Sequence, residues 1–250
     1  MNILPKFFIN LENFELKQNN AYIDNTEDIQ HIVKVLRKNI GDIIELCDGY
    51  WDYSARITEI SKNIIRLEIL NKDKNNRESN INIILFQCLI KSAKMDFVIQ
   101  KATELGVKKI VPVDSQRVVI DLSEKENKKI ERWTKIAKEA QKQCQRPVNP
   151  EIIKSIELSK IESFLDELDI LIVPYEKSNN IRLKDILANK QYKNIGILIG
   201  PEGGFEQQEI DRLSIYNDKV KIVSLGNRIL RAETAAISTI SIIQALLGDM

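Results

Sequence analysis

The chain has 250 residues, 43% of them hydrophobic and 29% charged, with 37 Lys and Arg against 36 Asp and Glu. That apolar content suffices for one large domain or two smaller ones. A formal net charge of +1 argues against a strongly basic coat for nucleic acid, and three scattered cysteines argue against a disulfide framework or a zinc module.

From Met1 to Lys17 there is no continuous apolar stretch of signal-peptide length, and the apolar C-terminal run is interrupted by Ser238, Thr239, Ser241 and Gln244. The expectation is a cytoplasmic chain without a membrane span or a bound metal. Short strand patterns follow at Phe7–Ile9, Ala21–Ile23, Asp42–Leu46, Ser54–Ile60 and Asn63–Leu70. One helix interrupts them, Thr26 to Arg37, with Ile29, Ile32, Val33 and Leu36 on one face. His31, the only histidine, lies in that helix and reads as structural. Several short strands and one helix suggest a small β-barrel. It closes at a polar stretch, Asn71 to Asn80, that has no apolar periodicity.

Beyond that stretch, strands at 81–90, 109–113, 169–173, 195–199 and 220–225 alternate with helical patterns, which predicts a largely parallel sheet flanked by helices. Lys94 to Leu105 buries Met95, Val98, Ile99, Ala102 and Leu105, and Lys91, Lys94 and Lys101 can share its exposed stripe. Glu124 to Cys144 repeats Ile130, Trp133, Ala137, Ala140 and Cys144, with Ser123 and Glu126 spaced as a capping box. Its other surface carries Lys128, Arg132, Lys135, Lys138 and Lys142. Residues 85–147 hold 14 Lys and Arg against 8 Asp and Glu, whereas 1–75 hold 10 against 12 and 148–250 hold 12 against 15. Positive charge is therefore concentrated in the middle, a pattern that a solvated helix face also produces.

Two glycine-containing segments near the C-terminus carry the most chemistry. Ile195 to Ile199 is a buried strand that Pro201, Gly203 and Gly204 forbid from continuing, and bare main chain there lets a small ligand lie close. Val220 to Leu225 is a second strand, broken at Gly226, and a helix runs from Thr234 until Gly248 ends it. Between them stand Arg228, Arg231 and Glu233, at the end of an α/β sheet where such folds bind ligands. The first loop lacks both the Gly-Lys-Ser/Thr ending of a phosphate loop and the spacing of a dinucleotide turn.

Together, Gly200-Pro-Glu-Gly-Gly204 and Leu225-Gly-Asn-Arg-Ile-Leu-Arg-Ala-Glu-Thr-Ala235 resemble the cofactor loops of the SPOUT methyltransferases. Their wording resembles the RsmE family, which methylates N3 of uracil in 16S ribosomal RNA. His31-Ile-Val-Lys-Val-Leu-Arg37 with Gly41-Asp42 matches that family's N-terminal domain, and Lys91 to Gly106 its first methyltransferase helix. Glu139 to Arg146 matches more loosely, with Lys142 where relatives carry Glu and Gln145 where they carry Gly.

The resemblance implies an α/β chain with a PUA-like RNA-binding β-barrel domain over 1–72. A SPOUT domain with a deep trefoil knot follows over 73–250. It implies a homodimer, S-adenosylmethionine as cofactor, and 16S rRNA, in the small ribosomal subunit, as partner. The cofactor would be gripped by Val173, Pro174, Ile199, Gly200, Pro201, Gly203, Gly204, Leu225, Gly226, Ile229 and Leu230. RNA phosphates would meet Arg37, Lys91, Lys94, Arg117 and Arg146. Arg231, with Arg228 as the alternative, would stabilise the charge that develops on uracil. Glu233 would orient the arginine through a bidentate pair, serve as the base, or merely cap the last helix. Competing readings are a binding-only protein with a blocked cofactor slot, a SPOUT enzyme acting on a tRNA ribose 2′-hydroxyl, and a phosphate-loop hydrolase.

Overall fold

A computed structural model of the protein describes residues 4–15, 19–118, 126–178, 181–188 and 190–250. The chain divides into two compact units, residues 1–78 with 145–148, and residues 79–144 with 149–250.

The first unit contains β1 (Lys6–Phe8), β2 (Phe14–Glu15), β3 (Asn20–Ile23), α1 (Thr26–Gln30), β4 (Ile43–Cys47), β5 (Trp51–Ile60) and β6 (Ile65–Lys74). They form one six-stranded sheet in the order β1-β4-β5-β6-β3-β2, antiparallel except where β1 pairs with β4. Alternation along the strands turns Ile44, Leu46, Tyr53, Ala55, Ile57, Ile65 and Leu67 to one apolar core shared with Phe7, Ile23 and Ile32. Register shifts between β5 and β6 at Ser54/Ala55 and Ile57/Glu59 add the local twist that lets ten-residue strands coil about that core.

The helix expected over Thr26 to Arg37 is two structures. Asn25 starts it, its side chain accepting from the N–H groups of Glu27 (2.9 Å) and Asp28 (3.3 Å). From His31–Val35 the backbone is π-helical, with the Leu36 N–H donating to the His31 carbonyl (2.9 Å). The wider turn rotates Val33 off the buried face and into solvent, contrary to the 3.6-residue reading. It leaves His31 exposed too, its ring meeting Phe7 edge-on rather than lying among the apolar side chains. The polar stretch after residue 70 begins inside β6, where Lys74 stands opposite Trp51. The border expected at 72/73 thus cuts a strand, and the compact unit continues to Glu78.

The second unit contains β7 (Asn82–Cys88), α2 (Ser92–Glu104), β8 (Lys109–Asp114), α3 (Glu126–Cys144), β9 (Glu151–Ile152), β10 (Ile156–Glu157) and a 3-10 helix Leu158–Glu167. After these come β11 (Ile170–Pro174), α4 (Leu183–Leu187), β12 (Asn194–Ile199), α5 (Gln207–Ser214), β13 (Val220–Val223) and α6 (Ala232–Leu247). All its strand pairs are parallel, in the order β10-β8-β7-β12-β11-β13 with β9 also on β8. Each central strand is apolar on both faces, as a sheet covered on both sides requires. Leu85, Ile172, Ile197 and Ile199 face one cluster beneath α2, α3 and α6, while Phe86, Val173 and Leu198 face the other beneath α5 and the 3-10 helix. Ser123 of the expected capping box lies outside the described residues. Glu126 accepts from the N–H (2.8 Å) and hydroxyl (2.5 Å) of Ser155, which hold its carboxyl below the usual range.

Candidate active site

At the carboxyl ends of β11, β12 and β13, three successive loops enclose a cavity of about 440 Å³. Pro174 and Glu176 come from the first loop, Gly200 to Phe205 from the second, and Ser224 to Arg231 from the third. Ala232 and Ala235 of α6 and Lys94 of α2 close it. Its size and its mixture of apolar wall, bare main chain and a few charges suit a small organic ligand. The chain reverses out of β12 through Gly204 at φ +68° and out of β13 through Gly226 at φ +118°, conformations that side chains rarely adopt.

The glycine loop is held from two sides. Arg117 donates from Nε to Glu206 Oε1 (2.7 Å) and from Nη1 to the Gly203 carbonyl (2.7 Å). Its guanidinium keeps the Glu206 carboxyl below the ordinary range. Glu206 and Glu209 then form a reciprocal cap at the start of α5, and Glu209 Oε1 also accepts the Gln116 N–H (3.0 Å). On the other side, Glu202 Oε1 accepts the Lys91 N–H at the start of α2 (3.4 Å) and pairs with Lys94 Nζ (3.4 Å). Burial works against the Glu202 charge, but its own N–H, that of Lys91 and the Lys94 ammonium outweigh it and depress the carboxyl's pKa.

Glu233, in the first turn of α6, turns its carboxylate to the same ammonium, with Oε2 3.5 Å from Lys94 Nζ. That oxygen is buried and receives no hydrogen bond. The expected Glu233–Arg231 pair does not form. Arg231 is the extended N-cap residue of α6, and positions two apart at a helix start face different sides. Among the described residues neither Arg228 nor Arg231 has an ion pair, and both are exposed residues that line the cavity.

Of the cofactor residues expected from sequence, ten line this cavity: Pro174, Ile199, Gly200, Pro201, Gly203, Gly204, Leu225, Gly226, Ile229 and Leu230. Val173 does not, because strand alternation buries it in the opposite cluster. The residues expected at RNA phosphates scatter into different roles. Arg37 is exposed on a left-handed backbone (φ 52°), and Lys91 is exposed. Lys94 and Arg117 brace the glycine loop from within the second unit. Arg146 is 4% exposed and grips Glu78 through Nε (2.9 Å) and Nη2 (3.0 Å), so it fastens residues 145–148 to the first unit rather than offering charge to solvent. The sequence reading missed Glu176, Glu202 and the bracing role of Lys94. A glutamate inside the Pro201-to-Gly204 turn was the one available signal. Among the described residues no helix is long and apolar enough to cross a membrane, and no group of three His, Cys, Asp or Glu could hold a metal ion.

Covered on both faces, with a glycine-loop cavity at its strand ends and a separate β-rich unit before it, the chain has the layout of a two-domain RNA methyltransferase. Residues 77–244 match the RNA methyltransferase domain family, and residues 23–70 the RNA methyltransferase PUA domain family. The chain belongs to the ribosomal RNA small subunit methyltransferase E family. It is 33% identical to the Bacillus subtilis protein of that name over 258 residues, covering 98% of this chain and 100% of the relative. It is 34% identical to the Buchnera aphidicola protein from Acyrthosiphon pisum, covering 98% and 95%. The crystal structure of the Neisseria gonorrhoeae member bound to S-adenosyl methionine superposes with a TM-score of 0.81 at 32% identity, covering 99% of this chain and all of that one.

Proposed function

We propose that this chain transfers a methyl group from S-adenosylmethionine to N3 of a uridine in small-subunit ribosomal RNA. The observation that carries the reading is the cavity itself. Both glycine loops line it, its main chain is bare, and its charges converge from three elements. The residues fit the cofactor. Ile199, Leu225, Ile229 and Leu230 supply apolar wall, and the lining carboxylates Glu176 and Glu202 with the arginines Arg228 and Arg231 suit a ligand that carries both signs of charge. When bound, S-adenosylmethionine supplies an electrophilic methyl group on sulfur.

The protein's own part is to hold the uracil, remove the N3 proton and stabilise the charge that the ring then carries. Arg231, exposed and lining the cavity, is the candidate for the O2 or O4 side of the ring. Glu233, part-buried with Oε2 short of a donor, is the candidate base. RNA phosphates would be met by Arg37 and Lys91, both exposed. The reading includes the deep trefoil knot of the SPOUT fold, for which the parallel order β7-β12-β11-β13 is the support. It also includes a homodimer with shared sites, supported by Ile229, apolar and 84% exposed beside the cavity.

The test is nucleoside mass spectrometry on 16S rRNA and small subunits incubated with the protein and cofactor. The expected product is 3-methyluridine, and a 2′-O-methyl nucleoside would overturn the assignment. In single-turnover reactions Arg231→Ala should slow transfer by about a hundredfold or more, the cost of losing one preorganised donor, with RNA affinity little changed.

A further inference from the structure

Lys94 stands where its own helix does not want a cation. It occupies the first turn of α2, and positive charge there opposes the helix dipole. What it gains lies on other elements, Glu202 Oε1 of the glycine loop at 3.4 Å and Glu233 Oε2 of α6 at 3.5 Å. One ammonium therefore joins the helix after β7, the loop after β12 and the helix after β13 around a single cavity. For Glu233 it is the one cation in reach among the described residues, and Oε2 has no hydrogen-bond donor to substitute for it. Glu176, Arg228 and Arg231 line the same cavity, and none of them pairs with Glu233.

We propose that Lys94, which lines the cavity, is a positioning residue for methyl transfer, fixing the Glu233 carboxylate beside the cavity next to the lining residue Ala232 and tying it, through Glu202, to the loop that grips the cofactor. The inference rests on the functional reading above and adds to it. In the step served, the N3 proton goes to the Glu233 carboxylate, the nitrogen's electron pair forms the bond to the methyl carbon, and the sulfur keeps the pair of the bond that breaks. A carboxylate held only by its flexible side chain would sample other rotamers. Fixing it against a cation on a packed helix removes that freedom before the substrate arrives.

A double-mutant cycle on the single-turnover rate, at saturating cofactor and RNA, tests this. Lys94→Met is expected to slow transfer about tenfold or more while RNA affinity stays within about twofold, and Lys94→Arg to recover most of the rate. Once Glu233→Gln has removed the carboxylate, Lys94→Met should cost nothing further. Equal losses in both backgrounds would overturn the proposal. So would an unchanged saturated rate with weaker RNA binding and a flatter salt dependence, which would make Lys94 a phosphate contact. If Lys94→Met does not fold, Glu202→Gln decides, since it redirects Lys94 onto Glu233 alone. The rate must then change only when Glu233 is present, and the same change in the Glu233→Gln background would overturn it. Product analysis of the wild-type reaction separates the two failures. Absence of 3-methyluridine sinks the functional reading, whereas 3-methyluridine with an additive cycle sinks the role of Lys94 alone.

Discussion

Gly203 and Gly204 are adjacent, yet the backbone makes different demands of them. Gly203 has an ordinary conformation, and a β-carbon there would lie 3.3 Å from Arg117 Cβ, a tight contact that asks its neighbour to give by a few tenths of an ångström. Gly204 is left-handed, and a β-carbon would also approach Glu176 Oε1 to 3.0 Å. Sequence alone names the pair, because φ cannot be read from two neighbouring glycines. With the geometry known, Gly204→Val should abolish cofactor binding measured by calorimetry, and Gly203→Ala should only weaken it. The reverse order would mean that the strain at Gly204 is not what shapes the slot. The same reasoning applies to Gln145, where the family resemblance leads us to expect glycine. It is left-handed at φ 60° directly after α3, the position where glycine most often ends a helix, so this chain tolerates there a strain that glycine would avoid.

Strands with a clean apolar signal were legible, alternating in the first unit and running as continuous apolar stretches in the second, and they fold where those patterns lie. The π-helical turn at His31–Val35 was not, because apolar periodicity assumes the turn it is meant to detect. The charges that organise the first sheet were equally hidden. Lys6 in β1 has a side chain only 2% exposed and pairs with Asp52 of β5 (2.7 Å) and Glu45 of β4 (3.6 Å). Asp52 also accepts from Asn75 (2.9 Å) and Arg77 (3.0 Å). Burial pushes the Asp52 carboxyl up, but Lys6 and Asn75 more than offset it and hold it below the usual carboxylate range. A carboxylate depressed in this way stabilises the fold fully above its unfolded pKa, and that contribution is lost as pH falls through the lower folded value. Breaking a buried pair typically costs about 3–5 kcal/mol, but Glu45 still faces Lys6, so Asp52→Ala should destabilise the first unit by about 2 kcal/mol at pH 7. Chemical denaturation should show the gap between wild type and variant closing below about pH 4. A gap that persists unchanged into acid would mean that packing, not charge, is what Asp52 supplies.

For the molecule as a whole, composition and the polar break indicated two parts, and neither could indicate that residues 145–148 return to the first unit. That return depends on Arg146 finding Glu78, a pairing between residues 68 positions apart with no local sequence signal. The path of the chain through the parallel sheet was beyond pattern reading for the same reason, since periodicity reports which face a residue buries and not which loop it passes. Assembly is a whole-molecule property that exposed side chains do bear on. Leu246 on α6 and Phe97 on α2, helices that share one core cluster, are 52% and 44% exposed, and Ile229 stands out beside the cavity. Exposed apolar side chains of that size are what a subunit interface would cover, which is the place the proposed homodimer gives them. If the cover is a second copy, light scattering should give twice the chain mass at micromolar concentration, and Leu246→Arg should shift the protein toward monomer. Because the proposed site is shared, that monomer should lose methylation while keeping its fold by circular dichroism. A monomeric variant that methylates 16S rRNA at the wild-type rate would show that one chain completes the site alone, and Ile229 would then need another ligand to explain its exposure.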